Sequence, residues 1–330
     1  TGDTDTILNI DNLIGGSAGD ELTGNDGDNE ITGGAGADII YSSKGTDVVD
    51  GGTGTDVDIM DYSNRSDKIV LTTSTDGLTY SVTKTDDSNK TDSLTNIEVV
   101  QGSNSDDSMT GGSQKDTFKG GTGDDVLDGG AGNDVLEGGA NNSGAGTGDW
   151  VDYSTRTAGV EITLVSGAAT AYVDTLTNGI ETHTATEEED SLTGIENIKG
   201  STVKDSLVGD SIGNSLLGMA GNDTLKGEGG ADYIDGGAND DSITGGAAAD
   251  ILKGGTGADT FIQTSTTGDT KDDNIDGGSE ADTSRGSDTV DYSAFSAAAG
   301  IKVSLNDTAL SNVTIGSSVA DHTITNIENV

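Results

Sequence analysis

The feature that most constrains this chain is a nine-residue repeat marked by glycine and aspartate. Seventeen repeats fall into three blocks. They begin at Gly15, Gly24, Gly33, Ser42 and Gly51; at Gly102, Gly111, Gly120, Gly129 and Gly138; and at Gly200, Gly209, Gly218, Gly227, Gly236, Gly245 and Gly254. A short fixed period indicates a stacked fold in which each unit packs on its neighbours along one axis.

Two positions of the repeat are nearly constant. The eighth is apolar in fifteen of the seventeen repeats, as at Leu22, Leu127 and Leu225, so it predicts an inward-facing side chain. The sixth is aspartate in fourteen repeats and is replaced at Asn29, Ser143 and Asn214. The aspartates are Asp20, Asp38, Asp47, Asp56, Asp107, Asp116, Asp125, Asp134, Asp205, Asp223, Asp232, Asp241, Asp250 and Asp259.

A single repeat, 33–41, shows what this pattern can form. Its glycines permit positive φ and a tight turn, and its last three residues are suited to a short strand. Two repeats then make one coil, and coils stack about 4.8 Å apart as parallel strands. Aspartate carboxylates and turn carbonyls supply the hard oxygens that calcium prefers. The predicted fold is all-β: parallel β-roll blocks separated by short β-strand spacers.

The pattern Gly-Gly-x-Gly-x-Asp-x-(apolar)-x resembles the RTX (repeat-in-toxin, hemolysin-type) calcium-binding family. Four repeats, 33–41, 120–128, 129–137 and 254–262, match it at every position. In that family calcium lies between stacked turns, which implies several ions held by aspartates from repeats two apart and by turn glycines. The ligand set implied is the fourteen aspartates together with Gly33, Gly36, Gly120, Gly123, Gly129, Gly132, Gly254 and Gly257.

Carried onto the third block, the resemblance implies two columns of side chains. One holds Asp205, Asp223, Asp241 and Asp259, and the other holds Asn214, Asp232 and Asp250. In the first block, Asp20, Asp38 and Asp56 stack on one edge, and Asn29 and Asp47 on the other. In the second, Asp107 stacks with Asp125, and Asp116 with Asp134.

Departures from the pattern predict weak places. Asn29 and Asn214 keep an oxygen but lose a charge, so their sites are expected to bind more weakly or to stay empty. Ser42-Ser43 replaces the glycine pair and Asp58 falls at an apolar position, so the first block is expected to fray there. Ser143 lies in a Gly/Asn-rich stretch expected to leave the roll as a loop.

Spacers of a second kind separate the blocks. Asp-Tyr-Ser follows each glycine-rich stretch, at Tyr62, Tyr153 and Tyr292. An alternating segment comes next, and a phrase such as 94–99 closes the spacer. The predicted organisation is a first roll at 1–63, a spacer at 64–101, a second roll at 102–154, a spacer at 155–199, a third roll at 200–262, and a loop with a spacer at 263–330. The same phrase opens the chain, so we expect a slice of a longer tandem array.

The composition limits the partners. The net charge of −44 predicts repulsion from nucleic acid and anionic membranes, and no apolar run reaches the roughly 20 residues that a membrane span needs. Aromatic residues make up 3% of the chain, so a large core is hard to assemble, and composition alone is typical of disorder. We therefore expect the rolls to fold only with calcium. The absence of cysteine excludes disulfides and thiolate metal sites.

Other candidate sites have simpler interpretations. His183 and His322 lie outside any zinc-ligand pattern, and the acidic run 187–190 reads as a solvated loop. Trp150 and the spacer tyrosines are expected to cap roll ends rather than to bind sugar. No serine nucleophile arrangement is recognisable, and the repeat explains the paired carboxylates, so no enzyme activity is predicted.

Two functions stay open. The first is a calcium-rigidified segment of a large secreted bacterial surface protein, of the S-layer or adhesin type, which the Thr/Ser/Gly-rich, proline-free sequence favours. Its expected partners are calcium, copies of itself in a lattice or filament, or cell-surface polysaccharide. The alternative is a calcium-folded accessory module of a secreted RTX enzyme or toxin. The resemblance implies type I secretion and an extracellular location for both.

Overall fold

The structure is a computed structural model that describes residues 10–74, 77–141, 148–166, 168–174, 188–263, 273–278, 287–294, 301–303, 311–315 and 322–327. The regular structure in these ranges consists of β-strands, in two compact units, Thr1–Asn142 and Ser143–Val330. The described part of the chain holds no helix of a length and apolarity that would cross a bilayer. The predicted all-β class is confirmed.

In its described residues the first unit contains fourteen strands. They are β1 (Asn12–Ile14), β2 (Glu21–Thr23), β3 (Glu30–Gly34), β4 (Ile39–Tyr41), β5 (Val48–Gly52), β6 (Ile59–Asp61), β7 (Ile69–Thr73), β8 (Thr79–Lys84), β9 (Lys90–Thr95), β10 (Val99–Gln101), β11 (Ser108–Thr110), β12 (Thr117–Thr122), β13 (Val126–Asp128) and β14 (Val135–Ala140). One parallel ladder runs β2-β4-β6-β10-β12-β14. The other runs β1-β3-β5-β9 and continues through β8 and β7 to β11 and β13.

The second unit contains the remaining strands. They are β15 (Trp150–Asp152), β16 (Gly159–Thr163), β17 (Ala168–Asp174), β18 (Glu188–Thr193), β19 (Asn197–Lys199), β20 (Ser206–Val208), β21 (Ser215–Leu217), β22 (Thr224–Gly229), β23 (Tyr233–Ala238), β24 (Ser242–Ala247), β25 (Ile251–Thr256), β26 (Thr260–Ile262), β27 (Asp273–Asp276), β28 (Thr289–Asp291), β29 (Ile301–Val303), β30 (Ser311–Ile315) and β31 (His322–Thr325). One ladder runs β15-β19-β21-β23-β25-β27-β31, and the other runs β16-β20-β22-β24-β26-β28.

The register of these ladders follows from the repeat. Within a block, strands two repeats apart pair in parallel, so Leu22 lies opposite Ile40 and Leu225 opposite Ile243. Eighteen residues therefore make one coil, and odd and even repeats supply opposite walls. Successive turns close where glycine adopts positive φ, as at Gly36 with φ of 101°. The predicted parallel β-roll is confirmed.

The core is a narrow stack of position-eight side chains. Ile31, Ile40 and Val49 are at most 1% exposed, and the same ladder position is fully buried at Phe118 and Ile234. The two neighbouring positions of each strand face outward, which gives the alternating burial of a strand such as Ile39–Tyr41. With one apolar residue per repeat, hydrophobic burial alone gives limited stability.

The spacers form antiparallel three-stranded segments. β7, β8 and β9 pair in sequence, as do β16, β17 and β18, and β29, β30 and β31. Their outer strands then join the parallel ladders, so in the first unit β9 stacks on β5 and β7 on β11. The predicted spacer strands at 69–71, 160–164 and 301–305 form in their described parts, and their position within the ladders is an additional finding. The division into three rolls and three spacers as separate domains stays a prediction.

Candidate metal sites

The position-six aspartates form columns along the edges of the coils. The backbone N–H of one aspartate donates to Oδ1 of the aspartate one coil further on: Asp223 to Asp241 at 2.8 Å and Asp241 to Asp259 at 2.9 Å. On the opposite edge, Asp232 donates to Asp250 at 2.9 Å. Because this bond fixes one carboxylate oxygen, the rotamer of each aspartate is set by the coil below it.

Hydrogen bonds of the same kind join the residues that the sequence predicts to share a column. The structure brings together Asp20 with Asp38, Asn29 with Asp47, Asp107 with Asp125, Asp116 with Asp134, Asp205 with Asp223, and Asn214 with Asp232. The columns also extend further than the repeats. Asp250 donates to Asp273 at 3.1 Å and Asp259 to Asp288 at 2.9 Å. Both lie two residues before a buried apolar side chain, and Gly277-Gly278 follow Asp273 at the spacing of the repeat, a signal that could have identified that residue from the sequence.

The second carboxylate oxygen, Oδ2, faces inward against the first glycine of its own repeat. A methyl group placed on Gly227 would overlap Asp232 Oδ2 and lie 2.5 Å from the carbonyl oxygen of Gly245. Gly33, Gly120, Gly129 and Gly254 stand in the same relation to their aspartates. Beside Gly33, Gly120, Gly227 and Gly254, a carboxylate oxygen and a carbonyl oxygen from the next coil therefore surround one point.

Several of these oxygens have no hydrogen-bond partner although they are buried. They are Oδ2 of Asp38, Asp223, Asp232, Asp241 and Asp259. A buried carboxylate without a partner costs free energy, so a cation or a proton must satisfy it. This is the observation that fits calcium to these turns, because an anionic oxygen next to carbonyl oxygens is the donor set that the ion prefers.

Burial also shifts the ionisation of these groups. Loss of solvent raises the pKa of Asp223 and of Asp259 to about 7, and that of Asp232 and of Asp241 to about 8. Like-charged neighbours add to the effect, since Asp250 and Asp210 act on Asp232. The third block therefore holds a row of carboxyls that are costly to ionise at neutral pH unless positive charge is near.

Backbone carbonyls are essential to any such site. Within the described residues no group of three or more His, Cys, Asp or Glu side chains converges. The residues that could hold an ion in a turn are therefore one or two position-six aspartates with the carbonyls of the glycine turns. Of the other predicted glycines, Gly36, Gly123, Gly132 and Gly257 have positive φ, which places them as turn residues.

The carboxylates at the starts of the blocks are satisfied by the protein itself. In these repeats the backbone N–H of the second residue donates to Oδ2 of the position-six aspartate. The distance is 2.6 Å at Asp107, 2.7 Å at Asp205 and 2.8 Å at Asp116, and Asp20 accepts the same bond. Tyr80 of the first spacer also donates its hydroxyl to Asp116. The carboxylates with an unpartnered oxygen thus lie further inside the blocks, at Asp38 in the first and at Asp223, Asp232, Asp241 and Asp259 in the third.

Asn29 and Asn214 behave differently from aspartate. Their side-chain amides donate to the carbonyl oxygens of Asp11 at 3.2 Å and of Glu196 at 2.8 Å, one coil earlier. The amide nitrogen thus bonds to a backbone oxygen directly. Reduced ion binding at these two turns stays a prediction, and Ser143 lies outside the described residues.

One predicted residue lies away from its column. Asp56 is exposed, and Asp58 instead accepts the N–H of Asp38 at 2.8 Å while Met60 takes the inward position opposite Ile40. The turn is two residues longer than the nine-residue register allows, so the stack resumes at Asp58 and continues through β6 into the spacer. The expected fraying of the first block at this point is not observed.

Spacer residues also occupy the columns. Glu98 accepts the N–H of Asp58 at 2.8 Å, and Glu196 accepts that of Asp149 at 3.0 Å. In the closing phrases of the first two spacers, a glutamate therefore takes the place of an aspartate. Sequence reasoning missed this role because the phrase lacks the glycine pattern that marks a repeat.

The spacer tyrosines lie inside the fold. Tyr62 and Tyr153 are at most 1% exposed, and their hydroxyls donate to Asp92 Oδ2 at 2.9 Å and to Asp190 Oδ2 at 2.8 Å. Asp190, from the acidic run, is itself buried. These contacts favour the structural interpretation over a sugar site. His183 lies outside the described residues.

The contact beside Gly227 gives a direct test of the turn. In the Gly227→Ala variant the new methyl group displaces Asp232 Oδ2, so we expect the calcium affinity of this turn to fall and the third block to melt at a lower temperature. Gly229→Ala is the matched control, because its methyl group would meet no atom closer than 3.5 Å. Calcium titration calorimetry and thermal melts measure both variants; equal affinities would contradict this description of the turn.

Comparison with known proteins finds the same nine-residue repeat. The family model of the RTX calcium-binding nonapeptide repeat (4 copies) matches residues 9–40, 23–58, 95–123, 110–143, 208–243 and 231–261. No curated protein matches the chain. Among solved structures, the crystal structure of extracellular lipase LipA from Serratia marcescens is similar at 16% identity and a TM-score of 0.26, covering 99% of this chain and 38% of that chain. The chain therefore spans well under half the length of the lipase.

Proposed function

We propose, from the RTX calcium-binding nonapeptide repeats that this chain carries in three blocks, that it is a calcium-ordered structural segment of a large secreted bacterial surface protein. The observation that carries this proposal is the set of buried, unpartnered Oδ2 atoms beside the turn glycines. Calcium bound there supplies the positive charge that keeps these carboxylates ionised. Residues such as Asp232 and Asp241, with the glycine carbonyls, would hold the ions.

Folding outside the cell follows from the same chemistry. A chain with a net charge of −44 and a single apolar residue per repeat has little to offset the repulsion of its columns. Ion binding that occurs only in the folded state becomes folding free energy. RTX repeat proteins are typically exported by type I secretion, and a chain that stays unfolded until it meets extracellular calcium suits that route.

A structural segment of a surface protein must also assemble with copies of itself or bind the cell surface. Tandem coils stiffened by ions suit a structural element, and the Ser/Thr/Gly-rich repeat is suited to an S-layer or adhesin. The partners proposed are copies of the same chain in a lattice or filament, or cell-surface polysaccharide. The accessory-module alternative assigns the calcium-folded rolls to a secreted enzyme or toxin instead.

Electron microscopy of the chain with calcium and with a chelator separates these roles. The surface role predicts ordered two-dimensional arrays or filaments in millimolar calcium that disperse when the ion is removed. Gly229→Ala, which leaves the turns intact, is expected to assemble as the parent chain does. Isolated, folded particles in calcium at all protein concentrations would contradict assembly and favour the accessory module.

A further inference from the structure

Lys84 is a fully buried lysine at the junction between the first block and its spacer. It lies at the end of β8, and none of its side chain is exposed. Its ammonium nitrogen lies 2.6 Å from Asp92 Oδ1 and 3.4 Å from Asp47 Oδ2, and it donates to the carbonyl oxygen of Ser43 at 3.0 Å. The ammonium is therefore surrounded by three oxygen atoms from three separate residues.

These three oxygens belong to a coil turn of the type described above. Asp47 is a position-six aspartate, and Ser43 is the second residue of the same repeat. Asp92 occupies the next place in the column, because Asp47 N donates to Asp92 Oδ1 at 3.0 Å and Val49 lies opposite Leu94. Two stacked carboxylates and a turn carbonyl thus meet around one positive charge.

The surrounding groups complete the pairing of both carboxylates. Asp92 Oδ2 accepts the Tyr62 hydroxyl at 2.9 Å, and Asp47 Oδ2 accepts the Ser43 hydroxyl at 3.0 Å. Asp47, Tyr62 and Asp92 are all at most 1% exposed. Buried charges are stable only when they are paired and hydrogen-bonded, and here the protein supplies every partner itself.

The sequence departs from the repeat at this same turn. Ser42 stands where every other repeat begins with glycine, and the Ser43 hydroxyl donates to Asp47 Oδ2, the oxygen whose equivalent has no partner at Asp223 or Asp241. In the second spacer the residue paired with Glu188, as Lys84 is paired with Lys90, is Val173, which has no charge. The first and second spacers therefore differ in charge at this position.

We propose that the Lys84 ammonium takes the place of a calcium ion in this turn, so that the junction between the first roll and its spacer is ordered without calcium. The inference rests on the proposed function in one respect, that the other turns bind the ion. The junction then forms a fixed end on which the calcium-dependent coils of the first block can stack. Removal of the lysine should convert the turn into an ion site of the ordinary kind.

The test compares Lys84→Met with Lys90→Met in the full chain. Lys90 lies directly opposite Lys84 in the same hairpin and is partly exposed, so its variant removes the same charge without touching the turn. In a chelator, hydrogen exchange should show protection of 47–49 and 90–95 in the parent chain and in Lys90→Met. In Lys84→Met we expect that protection to fall by more than about a hundredfold, as when one partner of a buried ion pair is lost.

Adding calcium to the Lys84→Met variant tests whether the turn without its lysine binds an ion. With calcium added, Lys84→Met should recover its protection and bind about one more ion per chain than the parent in equilibrium dialysis. If Lys84→Met fails to fold, the double variant Lys84→Met/Asp92→Asn, which lowers the charge demand, should restore protection in the chelator without gaining an ion. An unchanged ion count with no recovery in calcium would overturn the proposal. A parent chain that binds no calcium would overturn the proposed function instead, while protection of the junction in chelator would still stand.

Discussion

Chelation of calcium at neutral pH is expected to abolish most of the β-structure of the third block and to leave the first junction ordered. The block contains a row of carboxyls that burial makes costly to ionise, including Asp223, Asp232, Asp241 and Asp259. When the free calcium concentration is about a hundred times the Kd of a site, binding at that site adds about 2.7 kcal/mol to the free energy of unfolding. This contribution is lost when calcium is removed. The position-eight ladder alone is too narrow to replace it.

Circular dichroism with and without chelator measures this effect, and hydrogen exchange assigns it to segments. The loss should reverse when calcium is restored. Magnesium at the same concentration is the control, because it demands octahedral geometry and gives up its water reluctantly, so it should restore much less signal. A full β spectrum in the chelator would show that the rolls do not need the ion.

Acidification without calcium is expected to stabilise the third block. Burial in the folded state raises the pKa of these aspartates from the ordinary value of 3.8 to about 7 or 8. Between pH 3.8 and about pH 8 the folded block therefore binds more protons than the unfolded chain. Stability in chelator must therefore fall as pH rises from about 4 to about 8, and it is greatest at the acid end. With calcium the trend reverses, because protons compete with the ion for the same oxygens.

Melting temperatures across this pH range, with chelator and with calcium, test both signs. Asp241→Asn is an informative variant, because its amide imitates the protonated carboxyl and resembles the natural Asn214 in the neighbouring column. It should melt higher than the parent in chelator at pH 8 and bind fewer ions. Melting temperatures in chelator that rise with pH would contradict the assignment of these buried carboxyls.

Much of the fold could be predicted because the repeat determines it locally. Glycine, aspartate and the apolar eighth position each specify one part of a coil, so Ile40, Leu127 and Ile234 could be placed inside from the sequence alone. The spacer strands were also predictable from their alternation. Their insertion into the ladders was not, because pairing between β5 and β9 joins residues some forty-five positions apart without a shared glycine pattern.

The candidate sites were predicted in part. The columns of aspartates follow from the eighteen-residue coil, but a longer turn shifts one of them from Asp56 to Asp58. A fixed nine-residue register misses a two-residue insertion, whereas the burial of Met60 in the core shows where the register resumes. The roles of Asp92 and Glu98 were missed because their neighbours lack the repeat, and Asp273 was missed although Ile275 and Gly277-Gly278 follow it at the spacing of the repeat.

The sequence by itself determined that this chain folds as parallel coils with columns of carboxylates, because each repeat encodes its own turn and its own buried residue. The tertiary structure decided how each carboxylate is satisfied. Asp107 and Asp205 accept backbone and serine donors, Asp92 pairs with Lys84, and Asp232 and Asp241 are left with a buried oxygen. The physical reason is that a column looks uniform along the sequence, whereas the partner of each oxygen comes from whichever distant segment packs against that turn.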